Sequence, residues 1–313
     1  MSGAPASLDG WTPIRVHWRA EPVVEWCWTD GLAFDDPFFT QTVERALRRP
    51  FSLLFRRETP LSELDALEPG LEPNGLVFHL SRCGSTLVTQ MLASVPQHLV
   101  LSEPPPVDDV LGIGASEEET VRRLRAMVSA LGRPRQGDER GYVLKLDAWH
   151  ACRLGTFRRA FPDVPWVFLF REPVEVLASQ FRERGAHMVP GVLDPRLFGI
   201  DPREIAEMAP EEYCARVLAA ICRSALAHRD EQALFLDYRE LPGAVFDRVL
   251  GSFGLTCDAA EHATMERVSH LDAKNPALTF PTDGEASERE AIPELREAAD
   301  RWVRPLYEEL LTC

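Results

Sequence analysis

Between residues 76 and 93 the chain passes from an unbroken apolar run, LVFHL, through a polar stretch with one glycine, SRCGS, into the amphipathic segment TLVTQMLA. A buried strand, a tight turn and a helix are the elements such a pattern builds. The turn delivers the unpaired N–H groups and the positive dipole end of the helix to one point, which is the ordinary way a backbone holds a phosphate. It is not the common nucleoside triphosphatase loop, because GxxxxGK[ST] would need glycine where His79 stands and lysine where Ser85 stands. The cation instead lies two residues before Gly84, at Arg82.

Downstream the same alternation continues. Leu76 to Leu80, His98 to Leu101, Tyr142 to Leu146, Val164 to Phe170 and Ala233 to Leu236 read as strands. Ser85 to Ala93, Glu117 to Leu131, Pro173 to Arg184, Glu211 to His228, Pro242 to Phe253 and Ile292 to Leu311 read as helices. Strands that alternate with crossover helices pair in parallel, so the expected fold class is α/β, a three-layer parallel sheet with flanking helices. Upstream, Ile14, Val16 and Trp18 and then Val24, Trp26 and Trp28 alternate with polar residues around a turn at Ala20 to Pro22, which predicts a hairpin. A helix follows from about Pro37 to Arg49. Thr59 to Gly75 is rich in proline and acid and reads as a connector, giving an N-terminal extension of residues 1–74 and a second domain of 75–313.

A second candidate anion site lies in VPWVFLFREPVEVLASQF. The strand ends at Arg171, Pro173 opens a helix, and Ser179 lies eight residues after the arginine. Two helical turns place that hydroxyl on the side of the helix from which a guanidinium fork could grip the same phosphate. Arg171 could equally pair with Glu172 or Glu175.

The two segments together resemble the sulfotransferase family. SRCGSTL is similar to that family's 5′-phosphosulfate loop, where a lysine or arginine stands two residues before a glycine followed by hydroxyl residues, and the likeness is greatest to tyrosylprotein and bacterial members. The Arg171, Pro173, Ser179 pattern is similar to the family's 3′-phosphate site. The resemblance covers most of residues 76–313 and implies a sulfotransferase-like P-loop fold with 3′-phosphoadenosine 5′-phosphosulfate as co-substrate. Arg82 would hold the sulfonate and bridging oxygen, and Gly84, Ser85 and Thr86, with the neighbouring amides from Cys83 to Leu87, would hold the 5′-phosphate. Lys274, in HLDAKNPALTF, falls where family members cover the adenosine end, without their tight basic cluster. Residues 1–74 carry no such likeness.

Sulfuryl transfer to a hydroxyl or amine needs in-line placement, a cation on the bridging oxygen and a base for the acceptor's proton. Three residues are candidates for that base. Glu103, in LVLSEPPP, lies 21 residues beyond Arg82, close to the place of the catalytic glutamate in tyrosylprotein sulfotransferases, and is preferred. Asp147 ends the strand YVLKLD, where small-molecule sulfotransferases carry a lysine and then a histidine; His150 follows three residues on, and Lys145 could support the sulfonate or pair with Asp147. His187 and the Trp18, Trp26, Trp28 stripe read as a solvated loop histidine and a core stripe rather than as acceptor-site residues.

Composition limits the alternatives. A formal net charge of −15 opposes nonspecific attraction to nucleic acid or acidic membrane, so an anionic nucleotide requires a local positive pocket. Lysine occurs only at 145 and 274, arginine supplying every other basic side chain. Seven scattered cysteines with no CxxC pair and no zinc spacing predict reduced thiols and no metal. No stretch approaches the roughly 20 apolar residues of a membrane span and no signal segment opens the chain, which predicts a cytoplasmic protein. The acceptor, a small molecule or a peptide, and the oligomeric state are not encoded in any pattern. Two rival readings use the same loop: an ATP-dependent phosphotransferase, opposed by the missing loop lysine, and a catalytically idle nucleotide-binding partner.

Overall fold

The computed structural model describes residues 7–112, 115–271 and 292–313. Its central sheet is made of β4 (Gly75–His79), β5 (His98–Ser102), β6 (Gly141–Lys145), β7 (Trp166–Phe170) and β8 (Ala233–Asp237), all parallel, in the order β5-β6-β4-β7-β8. Every residue of β4 to β7 is buried. Strands covered by helices on both faces lose the two-residue alternation and show as continuous apolar runs, which is why LVFHL, YVLKL and WVFLF are legible as they stand. Helices α3 (Ser85–Ala93), α5 (Glu117–Leu131), α7 (Pro173–Arg182) and α8 (Pro210–Ala227) flank the sheet and match the expected spans to within about two residues at each end.

β4 lies at the middle of the sheet, and the chain moves to one side of it for β5 and β6 and to the other for β7 and β8. The carboxyl ends of strands flanking such a reversal leave a crevice in which α/β folds hold ligands. The loop after β4 opens there, as do the residues that follow β5, β6, β7 and β8.

The N-terminal hairpin forms as β1 (Trp11–His17) and β2 (Val23–Trp28), followed by helix α1 (Phe39–Leu47). A third strand, β3 (Arg57–Pro60), completes an antiparallel sheet where the sequence predicts a connector. Its four residues are mostly polar because it is an edge strand that buries only Thr59, whose hydroxyl accepts a 3.0 Å hydrogen bond from the Trp26 indole. The small sheet rests on helix α4 (Pro105–Leu111) and on α5, with the Val16 N–H donating to Asp109 at 2.7 Å. α4 was also hidden in the sequence; its paired prolines lie in the first turn, where a missing N–H costs nothing. The single helix expected over 292–311 is two, Pro293–Trp302 and Arg304–Leu310, because Pro305 cannot continue the ladder begun before it.

Candidate active site

The loop after β4 turns through three left-handed residues, Ser81 (φ 73°), Arg82 (φ 52°) and Gly84 (φ 80°). Non-glycine residues adopt this conformation rarely and at a cost of about 1–3 kcal/mol, and they cluster at ligand sites. Gly84 is required twice over: its φ is positive, and a Cβ there would lie 2.6 Å from Leu241 Cδ1 and 3.0 Å from Tyr238 Cδ2. The turn aims the amides at the start of α3 into the crevice, with Ser85, Thr86 and Leu87 on the first helical turn. Behind it, the Ser81 N–H donates to His79 Nδ1 at 3.0 Å and His79 Nε2 donates to Leu146 O at 2.9 Å, so the ring is one fixed tautomer. Burial pushes the His79 pKa down. Cys83 turns inward, its thiol donating to Leu169 O at 3.1 Å and pushed by burial up to about 12, so this residue offers a ligand only its backbone.

Arg82, Arg171 and Ser179 line one cavity of about 440 Å³. Arg171 Nη1 donates to the Arg82 carbonyl at 3.4 Å and its guanidinium lies 4.2 Å over the Tyr238 ring. Each arginine is also paired with a carboxylate. Arg82 Nη1 is 2.9 Å from Glu183 Oε2, and its Nη2 donates to Glu183 O at 2.6 Å. Arg171 Nε is bonded to Glu175, one of the two partners the sequence offers, while Glu172 is engaged by Arg304. The exposed Glu183 carboxylate contributes no more than about 1 kcal/mol to its pair, a small barrier to exchange for a phosphate or sulfonate.

Deeper in the cavity Lys145 is 1% exposed, with Nζ 2.6 Å from Glu103 Oε1, 3.4 Å from Thr86 Oγ1 and 5.0 Å from the Phe38 ring centre. Glu103, itself at φ 55°, is fixed to β6 by its N–H, which donates to Lys145 O at 2.8 Å. Burial would raise its carboxyl, but the Lys145 ammonium and His79 outweigh that and hold it far below the usual carboxylate range. Lys145 therefore pairs with Glu103, not with Asp147. Asp147 experiences the reverse: burial, with the Glu103 and Asp108 charges adding to it, pushes its carboxyl up to about 7 against the pull of His150. Two cavity-facing carboxylates with opposite proton affinities are what an acid–base site needs. His150 does not join them. Its Nδ1 accepts from the Asp147 N–H at 3.2 Å and its Nε2 donates to Asp108 Oδ1 at 2.9 Å, both ring nitrogens being used to shape the turn after β6.

The cavity wall also includes Phe38 at the start of α1, Trp149 and Tyr238, which no sequence pattern singles out, and His187, which the sequence presents as a loop histidine rather than an acceptor-site residue. His187 is not a solvated loop residue. It is 3% exposed, and neither ring nitrogen has a hydrogen-bond partner among the described residues. Burial lowers its pKa to about 3, so the imidazole is neutral; the residue lines the cavity, and its two ring nitrogens are themselves buried, with a donor and an acceptor unspent. Its segment is tied to the loop after β4 through the buried Gln180, whose amide donates to Ser81 Oγ at 2.8 Å and accepts from the Gly185 N–H at 2.9 Å. Trp26 belongs to the core of the small sheet, Trp18 is largely exposed, and Trp28 packs on Trp11 and Phe51, so that stripe lies away from the cavity. Lys274 lies outside the described residues.

The chain is similar in structure to sulfotransferases. One from Alicyclobacillus acidocaldarius aligns with a TM-score of 0.46 and 17% identity over 77% of this chain and 94% of that one. Sulfotransferase STF9 from Mycobacterium avium aligns with a TM-score of 0.43 and 14% identity over 77% and 79%. Mouse sulfotransferase SULT7A1 complexed with PAP aligns with a TM-score of 0.38 and 12% identity over 80% and 88%. No protein-family model and no curated protein matches the chain. Among the described residues, no helix is long and apolar enough to cross a membrane and no group of three or more His, Cys, Asp or Glu side chains could hold a metal ion.

Proposed function

We propose that the chain is a sulfotransferase that moves a sulfuryl group from 3′-phosphoadenosine 5′-phosphosulfate to a hydroxyl or amine. The observation that carries this reading is the meeting of Arg82, with its left-handed loop, and of Arg171 and Ser179 in one cavity with a buried lysine. In the reaction the acceptor's oxygen or nitrogen attacks sulfur in line and the bond from sulfur to the bridging oxygen breaks. The charge left on the 5′-phosphate falls to Arg82, Lys145 and the amides at the start of α3. Of the two carboxylates, Asp147 is the better matched to take the acceptor's proton near neutral pH, since a base works best when its pKa lies near the operating pH. Glu103 then acts as the anchor that holds the Lys145 ammonium in place.

The direct test is calorimetric titration with 3′-phosphoadenosine 5′-phosphate, AMP and ATP, followed by turnover with a labelled sulfate donor. The bisphosphate is expected to bind tightest, because AMP and ATP lack the 3′-phosphate assigned to Arg171 and Ser179. Arg171→Ala is expected to weaken the bisphosphate about 10- to 100-fold, the value of a charge-assisted hydrogen bond, and AMP only slightly. Equal losses for both ligands would count against the assignment.

His187→Leu is expected to raise the melting temperature while lowering turnover. A buried ring with unpaired nitrogens costs a fold about 1–3 kcal/mol, a cost tolerated where the ring is needed for a ligand. Thermal scans and initial rates on the same variant check it, and unchanged turnover would return His187 to a packing role.

A further inference from the structure

Residues 50–55, Pro-Phe-Ser-Leu-Leu-Phe, form helix α2 (Pro50–Leu54) and its exit, and they present apolar side chains to solvent in one short run. Phe51 is 43% exposed, Leu53 64%, Leu54 78% and Phe55 54%. The element is nonetheless held firmly: Ser52 is buried, and the Phe51 ring packs against Trp28 at 5.4 Å, Trp11 at 6.0 Å and Phe55 at 4.8 Å. Its leucines therefore project from a fixed base. A contiguous apolar projection of this kind on a soluble domain marks a surface that something else covers.

Charge decides what covers it. Arginines stand on both sides of the run, Arg48 and Arg49 before it and Arg56 and Arg57 after it, in a chain whose net charge is −15. Arg57 is committed to the Ser7 carbonyl and the Trp11 ring. Arg48 and Arg56 are mostly exposed and loosely held, Arg48 3.9 Å from Glu44 and Arg56 donating a long 3.5 Å hydrogen bond to Glu25. A phosphate group can replace either one. A second copy of the chain docked face to face would bring the same arginines against these, which disfavours self-association through this patch. Leucine and phenylalanine between arginines suit instead the boundary of an anionic bilayer, where apolar side chains enter the acyl layer and guanidinium groups stay with the headgroup phosphates.

We propose that α2 and its flanking arginines dock the protein peripherally on an anionic lipid surface. The nine-residue helix α1 alone separates this surface from Phe38 at the cavity wall, a span of about 14 Å at the helical rise. Docking would thus hold the cavity close to the bilayer, and the proposal does not depend on which group the cavity transfers.

The test is co-sedimentation of the full chain with vesicles of phosphatidylcholine alone or with about a third phosphatidylglycerol, at low and high salt. The expected result is at least about tenfold stronger binding to the anionic vesicles, weakened by salt. Leu53→Glu with Leu54→Glu should reduce it to the neutral-vesicle level with an unchanged melting temperature, since both side chains are exposed. Leu54→Glu alone, at the most exposed position, serves if the pair perturbs folding. Equal binding to both vesicle types overturns the proposal, as does undiminished binding of the glutamate variants. So does a dimer on a sizing column that the same substitutions dissociate, which would make a second copy the occupant.

Discussion

Lys145→Met lowers turnover by about 10²–10³ and destabilises the fold by about 3–5 kcal/mol, and these two losses are separable: that is the expected result with the largest reach. The catalytic loss follows from removing the cation assigned to the bridging oxygen. The stability loss has a different origin. The buried Lys145 Nζ lies 2.6 Å from Glu103 Oε1, so methionine leaves a largely buried carboxylate at the cavity wall without its counter-charge. Adding Glu103→Gln removes that orphaned charge. The double variant is expected to recover most of the stability and none of the turnover. Glu103→Gln alone is expected to lower turnover by loosening Lys145 while leaving donor affinity nearly intact. Denaturant melts and initial rates on the three variants form the cycle, and a double variant no more stable than Lys145→Met would refute the pairing as its cause. Because the Glu103 carboxyl is held below its usual range, the stability it contributes is present above its unfolded pKa and is lost as pH falls through the folded value.

Asp147→Asn carries the second large effect. With the carboxyl at about 7, a proton acceptor at this position makes kcat/KM climb about tenfold per pH unit below that value and level off above it. The asparagine variant is expected to lose this inflection and to fall by about 10²–10⁴ on the plateau. Stability moves the other way. The folded pKa is raised above the unfolded value of about 3.9, so the group's favourable contribution is complete below that value and is lost as pH rises through 7. Relative to the native chain, Asp147→Asn should therefore be more stable at about pH 8 than at about pH 5, by an amount on the order of 2–4 kcal/mol. If the inflection survives in Asp147→Asn and disappears in Glu103→Gln, the proton goes to Glu103.

The parallel sheet was legible because burial on both faces writes each strand as an uninterrupted apolar run, and α3 and α5 because an amphipathic period and a flanking polar turn mark their ends. The loop after β4 and the Arg171 segment could be read for the same reason: each follows a strand and opens a helix, so a local pattern carries their backbone geometry. β3 and α4 had no such mark, one being a polar edge strand and the other a proline-rich turn, and both draw their stability from the packing of the small sheet on α4 and α5. The cavity's remaining chemistry came only with the tertiary fold. Glu103 and Lys145 are 42 residues apart in the chain and 2.6 Å apart in space. His187 looks in sequence like any loop histidine, and Asp147 like any strand-terminal aspartate. What sets the proton affinity of Asp147, and leaves the His187 nitrogens without a hydrogen-bond partner among the described residues, is the loss of water around them and the sum of charges brought near. Those are properties of packed volume, which no local run of residues contains.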